Sequence, residues 1–153
     1  MPANKLSILV VDVHADTREM IAVYLELRGF EVATACSGEE ALEVASAVRP
    51  HIVLMDLSLP TMDGWEAASR LKSGPLTKHA IVVLVTCYEF DNERERAAAA
   101  GCDVCLRKPF DIAALADAFE RVADEGVVAL ARHHSMNGEW SGTSRDGYPG
   151  GVR

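Results

Sequence analysis

Four polar residues stand at or just after the ends of short apolar or strand-like runs: Asp12, Asp56, Thr86 and Lys108. Two carboxylates brought together repel each other, and a bound Mg²⁺ with oxygen ligands makes such a pair tolerable. A hydroxyl and an ammonium group in the same cleft can neutralise a phosphoryl group during in-line transfer. The residue types therefore predict transfer of a phosphoryl group to a carboxylate, which becomes an acyl phosphate.

These side chains can meet only if the strands before them lie side by side. Three apolar runs of strand length, typical of parallel strands covered on both faces, occupy residues 8–11, 52–55 and 81–85. Weaker strands are predicted at 31–35 and 103–107, and helices at 16–28, 38–48, 64–72, 91–100 and 111–125. Asp16 is the predicted cap of the first helix, and Gly29 its predicted end.

The alternation of strands and helices gives five βα units, which indicate an α/β fold with a doubly wound, five-stranded parallel sheet. In an open sheet of this kind the ligand site lies beyond the carboxyl ends of the strands. The four polar residues follow the strands at that edge, so the predicted fold and the predicted chemistry agree.

Composition excludes several classes of partner. The chain has 153 residues, a net charge of -8 and a pI near 5.1, so it lacks the positive field that binds nucleic acid or an anionic membrane. No apolar run approaches the roughly 20 residues that cross a bilayer, and the N-terminus lacks the apolar stretch of a signal peptide. We expect a cytoplasmic protein whose four cysteines are reduced.

Several stretches match one family in order and spacing: residues 8–12, 50–60 with 62–64, 85–86 and 108–110. Over residues 5–126 the chain resembles the receiver domain of bacterial two-component response regulators, which is CheY-like. The resemblance implies a flavodoxin-like (βα)5 fold with strand order 2-1-3-4-5.

The resemblance also implies roles for individual residues. Asp56 would accept a phosphoryl group from a histidine kinase or histidine phosphotransfer protein, and Thr86 and Lys108 would contact that group and act in the switch. Asp12, Asp56 and the backbone carbonyl of Ser58 would hold Mg²⁺. The chain would be no enzyme toward other substrates, although it would catalyse its own phosphorylation and dephosphorylation.

The sequence departs from the family at three places. Val13 stands where the family usually has a second acid that binds the metal directly, which predicts weakened Mg²⁺ binding. Cys105 replaces the inward-turning aromatic residue of the switch, so the coupling to partners is predicted to be altered. Cys87 and Tyr88 follow the switch threonine, where a small residue is common, and predict slower hydrolysis of the acyl phosphate.

Two rival interpretations stay open at this point. The chain is either an active phosphoacceptor or a pseudo-receiver that acts without phosphate as a constitutive protein interaction module, which Val13 and Cys105 favour. A phosphatase of the haloacid dehalogenase type also forms an aspartyl phosphate, but Asp56-Leu57-Ser58 lacks its second acid. The spacing of Cys102 and Cys105 is a weak argument for zinc or disulfide exchange, because no second ligand pair accompanies it.

The expected organisation is a stand-alone receiver at 5–126, followed at 127–153 by a helix extension and a flexible tail rich in Gly and Ser. Without an output domain, signalling would pass through contacts with a downstream protein target. The expected surface, which is also the expected homodimer face, is formed by the fourth predicted helix, the fifth strand and the fifth predicted helix. It includes Glu93, Arg94, Arg96, Val104 and Ala113.

Overall fold

The computed structural model describes residues 6–86, 101, 103–126 and 141–142. Its strands are β1 Ser7–Val11, β2 Glu31–Ala35, β3 Ile52–Asp56, β4 Ile81–Thr86, β5 Val104–Arg107 and β6 Ser141–Gly142. Its helices, numbered within these ranges, are α1 Ala15–Leu27, α2 Gly38–Val48, α3 Gly64–Ser73, α4 Ile112–Glu120 and α5 Val122–Glu125. The helix predicted at 91–100, together with Cys87, Tyr88 and Cys102, lies outside the described residues, so α4 corresponds to the fifth predicted helix.

The sheet has the order β2-β1-β3-β4-β5-β6, and the first five strands are parallel. This confirms the five-stranded sheet with order 2-1-3-4-5. The added strand β6 pairs antiparallel with β5 at residues that the sequence analysis places in a flexible tail. Composition did not reveal this pairing, because a two-residue strand needs backbone groups and no apolar pattern.

Both faces of the sheet are buried, as the continuous apolar runs predict. Alternate strand residues point to opposite faces, so Leu9 and Val53 join one core cluster while Ile8 and Ile52 join the other. Trp65 of α3 packs in the first cluster, whereas the second contains helix residues of α1 and α4. Full burial of each large apolar side chain contributes about 1.5–3 kcal/mol, which makes this double core the main support of the site.

Helix termini show how local sequence sets the boundaries. The side chains of Ser37, Asp63 and Asp111 accept hydrogen bonds from backbone N–H groups in the first turns of α2, α3 and α4. The predicted cap of α1 is wrong: Asp16 lies inside the first turn, and the N-cap is His14, whose side chain makes no capping bond. Asp12 holds this loop instead, because its Oδ1 accepts a hydrogen bond from His14 N–H.

The last predicted helix is interrupted. Arg121, with ψ near -4°, ends α4 and begins the four-residue helix α5, so residues 111–125 form two helices instead of one. Gly29 adopts a φ of +100° directly after Arg28, the C-cap of α1, as its predicted role requires. Within the described ranges, no helix has the length and hydropathy needed to cross a bilayer.

Candidate functional site

The registers of the sheet bring the predicted residues to one edge. Val11 faces Met55, and Asp56 faces Val85, so Asp12 and Asp56 both lie at the carboxyl ends of central strands. Both aspartates are buried and line one cavity with Lys108. The cavity has a volume of about 370 Å³ and mostly apolar walls from β1, β3, α1 and the loop after β5.

Asp56 combines burial with an adjacent cation. Its side chain is only 6% exposed, and Lys108 Nζ lies 3.4 Å from its Oδ1. Burial raises the pKa of the Asp56 carboxyl above its ordinary value, and the nearby charge of Asp12 raises it further. The Lys108 ammonium and a hydrogen bond donated by the backbone N–H of Ser58 act in the opposite direction on that pKa. The ionised carboxylate is thus held in a place that disfavours its charge.

The loop after β3 is fixed by backbone contacts on both sides. Leu57 N–H donates to Val85 O at 2.9 Å, and Gly64 N–H donates to Leu57 O at 2.9 Å. A Cβ at Gly64 would lie 2.8 Å from Leu57 Cα, so only glycine permits this close approach of α3. The first residues of α3 therefore pack directly against the loop that follows Asp56.

Lys108 and Thr86 are joined through the backbone. Lys108 N–H donates to Thr86 O at 2.8 Å, and the Lys108–Pro109 peptide bond is cis. The Lys108 side chain is about one-third exposed, whereas Thr86 is buried at 3%. Thr86 therefore lies at the same edge as Asp56, one residue beyond the register partner of that aspartate.

Asp12 is held by residues of the loop and helix that follow it. Its Oδ1 accepts a hydrogen bond from His14 N–H at 2.8 Å and lies 3.3 Å from His14 Nδ1. Arg18 Nη1 donates to the carbonyl of Asp12 at 2.8 Å. Sequence analysis missed Arg18, because a lone arginine one turn into a helix carries no signal that its side chain reaches back to the residue after β1.

The two altered positions differ in their surroundings. Val13 is 41% exposed, so it does not fill the cavity that the aspartates line. Cys105 is 2% exposed, faces Leu84 in the register and belongs to the core cluster on one side of the sheet. Neither residue supplies the group that the family resemblance leads one to expect there.

The donor set suits Mg²⁺ better than a transition metal. Among the described residues, no group of three His, Cys, Asp or Glu side chains converges on one point. Mg²⁺ keeps several waters and needs only one or two carboxylates, whereas tighter sites for softer metals use nitrogen or sulfur ligands. The two cavity carboxylates, Asp12 and Asp56, are therefore of the ligand type that Mg²⁺ accepts with water, whereas the Ser58 carbonyl stays a predicted ligand.

Comparison with protein families gives one match that covers most of the chain. Residues 8–120 match the family described as the response regulator receiver domain. The response regulator PleD of Caulobacter vibrioides is 37% identical over 105 residues, which are 68% of this chain and 23% of that protein. The polar-differentiation response regulator DivK of Brucella abortus is 29% identical over 106 residues, 69% of this chain and 86% of that protein.

Solved structures agree with the fold described above. The chemotaxis response regulator CheY4 of Vibrio cholerae has 28% sequence identity and a TM-score of 0.71, covering 78% of this chain and 99% of that one. The chain spans less than a quarter of PleD and only 12% of the sensor histidine kinase RcsC of Salmonella typhi. Activities of those longer proteins are therefore not properties of the matched segment alone.

Proposed function

The chain belongs to the response regulator receiver domain family, and we propose on that basis that it accepts a phosphoryl group on Asp56. The donor would be a histidine kinase or a histidine phosphotransfer protein. One observation carries this proposal: a buried carboxylate at the end of β3 lies 3.4 Å from the ammonium group of Lys108 inside a cavity. A carboxylate beside a cation in a water-excluding cavity supports acyl phosphate formation, because the cation can neutralise charge on the transferred group.

The proposed reaction assigns one task to each side chain. A carboxylate oxygen of Asp56 attacks phosphorus in line as the bond between phosphorus and the donor nitrogen breaks. The Lys108 ammonium neutralises charge on the transferred group, and the Thr86 hydroxyl donates a hydrogen bond to a phosphoryl oxygen. The proposed roles of Thr86 and Lys108 in the switch follow from their contacts with the phosphoryl group. Attack of water on the phosphorus, with the same groups neutralising charge, would break the acyl phosphate bond, release inorganic phosphate and restore the Asp56 carboxylate.

Receiver domains generally bind Mg²⁺ at an acidic pocket, and we propose that Asp12, Asp56 and the Ser58 carbonyl form that pocket here. When bound, Mg²⁺ would supply positive charge that offsets the two carboxylates and the phosphoryl oxygens. Val13 offers no ligand, so the affinity is expected to be lower than with an acid at this position. The bond from His14 N–H to Asp12 Oδ1 fixes one oxygen of that carboxylate and so directs it within the loop.

Partners and location follow from the same proposal. We propose that the chain acts in the cytoplasm, on a downstream protein target reached through the face of the fourth predicted helix, β5 and α4. The same face would serve a homodimer. Its altered switch residue, Cys105, is expected to change how phosphorylation is communicated to that face.

The rival interpretation, a pseudo-receiver that acts without phosphate, is not favoured by the family match or by the relatives found. It predicts that Asp56 is a structural acid. Beryllofluoride with Mg²⁺ separates the two, because this phosphoryl analogue binds only where an aspartate, a cation and a metal site cooperate. We expect it to perturb amide signals around Asp56 and Thr86; an unchanged spectrum would favour the pseudo-receiver.

Labelling by a histidine kinase tests the phosphoacceptor directly. We expect a competent kinase to transfer radiolabelled phosphate to the wild-type chain, and Asp56→Asn to abolish the label. Asp63→Asn is a matched control, because Asp63 caps α3 with its carboxylate and asparagine caps equally well. Unchanged labelling of Asp56→Asn would end the assignment of the acceptor.

A further inference from the structure

The cavity beside Asp56 continues from the polar edge of the sheet into the apolar core. Its volume of about 370 Å³ lies within the range of pockets that hold small organic molecules. Four of its wall residues also belong to the core cluster that contains helix residues of α1 and α4: Val10, Ile21, Leu54 and Val85. A hydrated Mg²⁺ needs only oxygen ligands at the edge, so the proposed phosphoryl transfer gives this apolar part of the cavity no task.

The polar end of this cavity carries an unpaired negative charge. Its charged lining residues are Asp12, Asp56 and Lys108, and the ammonium group of Lys108 already pairs with Asp56. Arg18 does not line the cavity, and its Nη1 binds the backbone carbonyl of Asp12 instead of the carboxylate. Among the described residues that line the cavity, the carboxylate of Asp12 is therefore left without a cation of its own.

One oxygen of this carboxylate is buried without a donor. The Asp12 side chain is 6% exposed, and its Oδ1 accepts a hydrogen bond from His14 N–H at 2.8 Å. In the part of the chain that the structure describes, Oδ2 accepts none. A buried carboxylate oxygen in this condition costs free energy until a cation or an N–H donor reaches it.

Charge and wall chemistry together select one class of ligand. A cationic head group satisfies Asp12 Oδ2 and balances its charge, whereas an anionic head group would face two like charges. A metal ion satisfies the carboxylate but leaves the apolar walls in contact with water. An apolar body attached to the head group removes those walls from water, since Met20, Phe110 and Ile112 also line the cavity. The ligand that fits is an amine with an apolar group.

We propose that the cavity binds a small amphiphilic amine, whose ammonium group lies on Asp12 Oδ2 and whose apolar body lies between α1 and the loop after β5. The ammonium group competes with Mg²⁺ for the same carboxylate, and the apolar body fills the space beside Asp56. A bound amine therefore keeps the chain unphosphorylated. Only this last consequence rests on the proposed phosphoacceptor function; the binding itself does not.

Phenethylammonium is the probe, because it joins a primary ammonium group to one phenyl ring. We expect its titration into the metal-free full chain at pH 8, followed by amide chemical shifts, to give a Kd of about 1 mM, ordinary for a ligand of this size. 3-Phenylpropionate carries the same ring with the opposite charge and should bind more than about tenfold more weakly. Propylammonium lacks the ring and should be weak as well. Either of these two compounds binding as tightly as phenethylammonium would overturn the proposal.

Three variants locate the site. Asp12→Asn keeps the shape of the side chain and removes its charge, so we expect about tenfold weaker binding of phenethylammonium. Ile112→Phe narrows the cavity from a half-buried wall position and should also weaken binding. Val23→Phe is its matched control, because it places the same ring on α1 at a position that is 53% exposed, and should bind like the wild type. Wild-type affinity in Asp12→Asn, or in a folded Ile112→Phe protein, would overturn the site.

Competition with Mg²⁺ is tested by calorimetric titration of the wild-type chain with and without the amine. At an amine concentration about ten times its Kd, the apparent Kd of Mg²⁺ should rise about tenfold. An unchanged Mg²⁺ affinity in the presence of bound amine would overturn the shared carboxylate. None of these measurements involves phosphoryl transfer, and labelling of Asp56 without the amine tests the phosphoacceptor, so the two proposals fail separately.

Discussion

Neutralising Asp56 should stabilise the domain as well as abolish its labelling. Asp56→Asn keeps the shape of the side chain and removes a charge that is 6% exposed. The raised pKa of this carboxyl means that the folded state binds its proton more tightly than the unfolded chain does. Ionisation therefore lowers the free energy of unfolding at neutral pH, and the neutral amide avoids that loss.

The magnitude follows from two opposing effects. A unit charge pair at 3.4 Å is worth about 5 kcal/mol at an effective dielectric of about 20. Lys108 is 36% exposed, so solvent screening reduces this to about half or less. Taking the carboxylate out of water costs several kcal/mol, and the charge of Asp12 adds to that cost. We expect a net gain of about 1 kcal/mol for the Asn variant, or about 2–4 °C in Tm for a domain of this size.

Thermal unfolding without metal from pH 3 to pH 8 gives the assay. Below the unfolded-state pKa of about 3.9 both proteins are neutral at this position and should melt together. As the pH rises through the folded-state pKa, wild-type stability should fall relative to Asp56→Asn, and the gap should then stay constant. Asp63→Asn should show no comparable gap. A lower Tm for Asp56→Asn at pH 7 would mean that the Lys108 pair outweighs burial, which would refute the reasoning.

Three further outcomes are expected. Val13→Asp should tighten Mg²⁺ binding about 10- to 100-fold, a net gain of about 1.4–2.8 kcal/mol in binding free energy. It should also speed labelling by a small phosphodonor. Unchanged Mg²⁺ affinity in titrations of both proteins at matched salt would show that another group fills the position. Asp103→Ala should lower the free energy of unfolding, measured in denaturant melts, by about 2–3 kcal/mol. The reason is that Asp103 Oδ2 accepts hydrogen bonds from Lys72 Nζ at 3.0 Å and from Val82 N–H at 2.8 Å. A loss as small as that of Asp117→Ala, which removes an exposed carboxylate, would contradict this. The chain should show no sequence-specific DNA binding at physiological salt because of its charge of -8; a mobility shift with one sequence and not with a scrambled one would contradict that.

The sequence was most informative where burial governs the pattern. Continuous apolar runs predicted β1, β3 and β4 to within a residue, because strands covered on both faces leave no room for polar side chains. Those strands fix the edge, so the positions of Asp12, Asp56, Thr86 and Lys108 at one end of the sheet also followed. The roles of these residues stay predictions until labelling is measured.

Contacts that depend on side-chain reach could not be predicted. Arg18 is six residues from the carbonyl that it binds, and Asp103 lies 31 residues from Lys72; neither spacing has a periodic signature. The interruption at Arg121 was missed because the alanine-rich sequence around it favours helix throughout. The cap of α1 was assigned to Asp16 because propensity alone does not show that the loop before it is held by Asp12.

Two consecutive carbonyls at the end of β4 connect Asp56 and Lys108 to one strand end, whereas Asp12 is held by other elements. Val85 O anchors the loop that begins beside Asp56, and Thr86 O anchors Lys108, so a displacement of this strand end carries both groups in the same direction. Asp12 is anchored elsewhere, by its N–H to Ala35 O of β2 and through Arg18 to α1. We therefore expect thermal motion to vary the separation of the two carboxylates more than the separation of Asp56 from Lys108. As the temperature rises, the affinity for a cation held between the two carboxylates should therefore fall before the contact between Asp56 and Lys108 is lost.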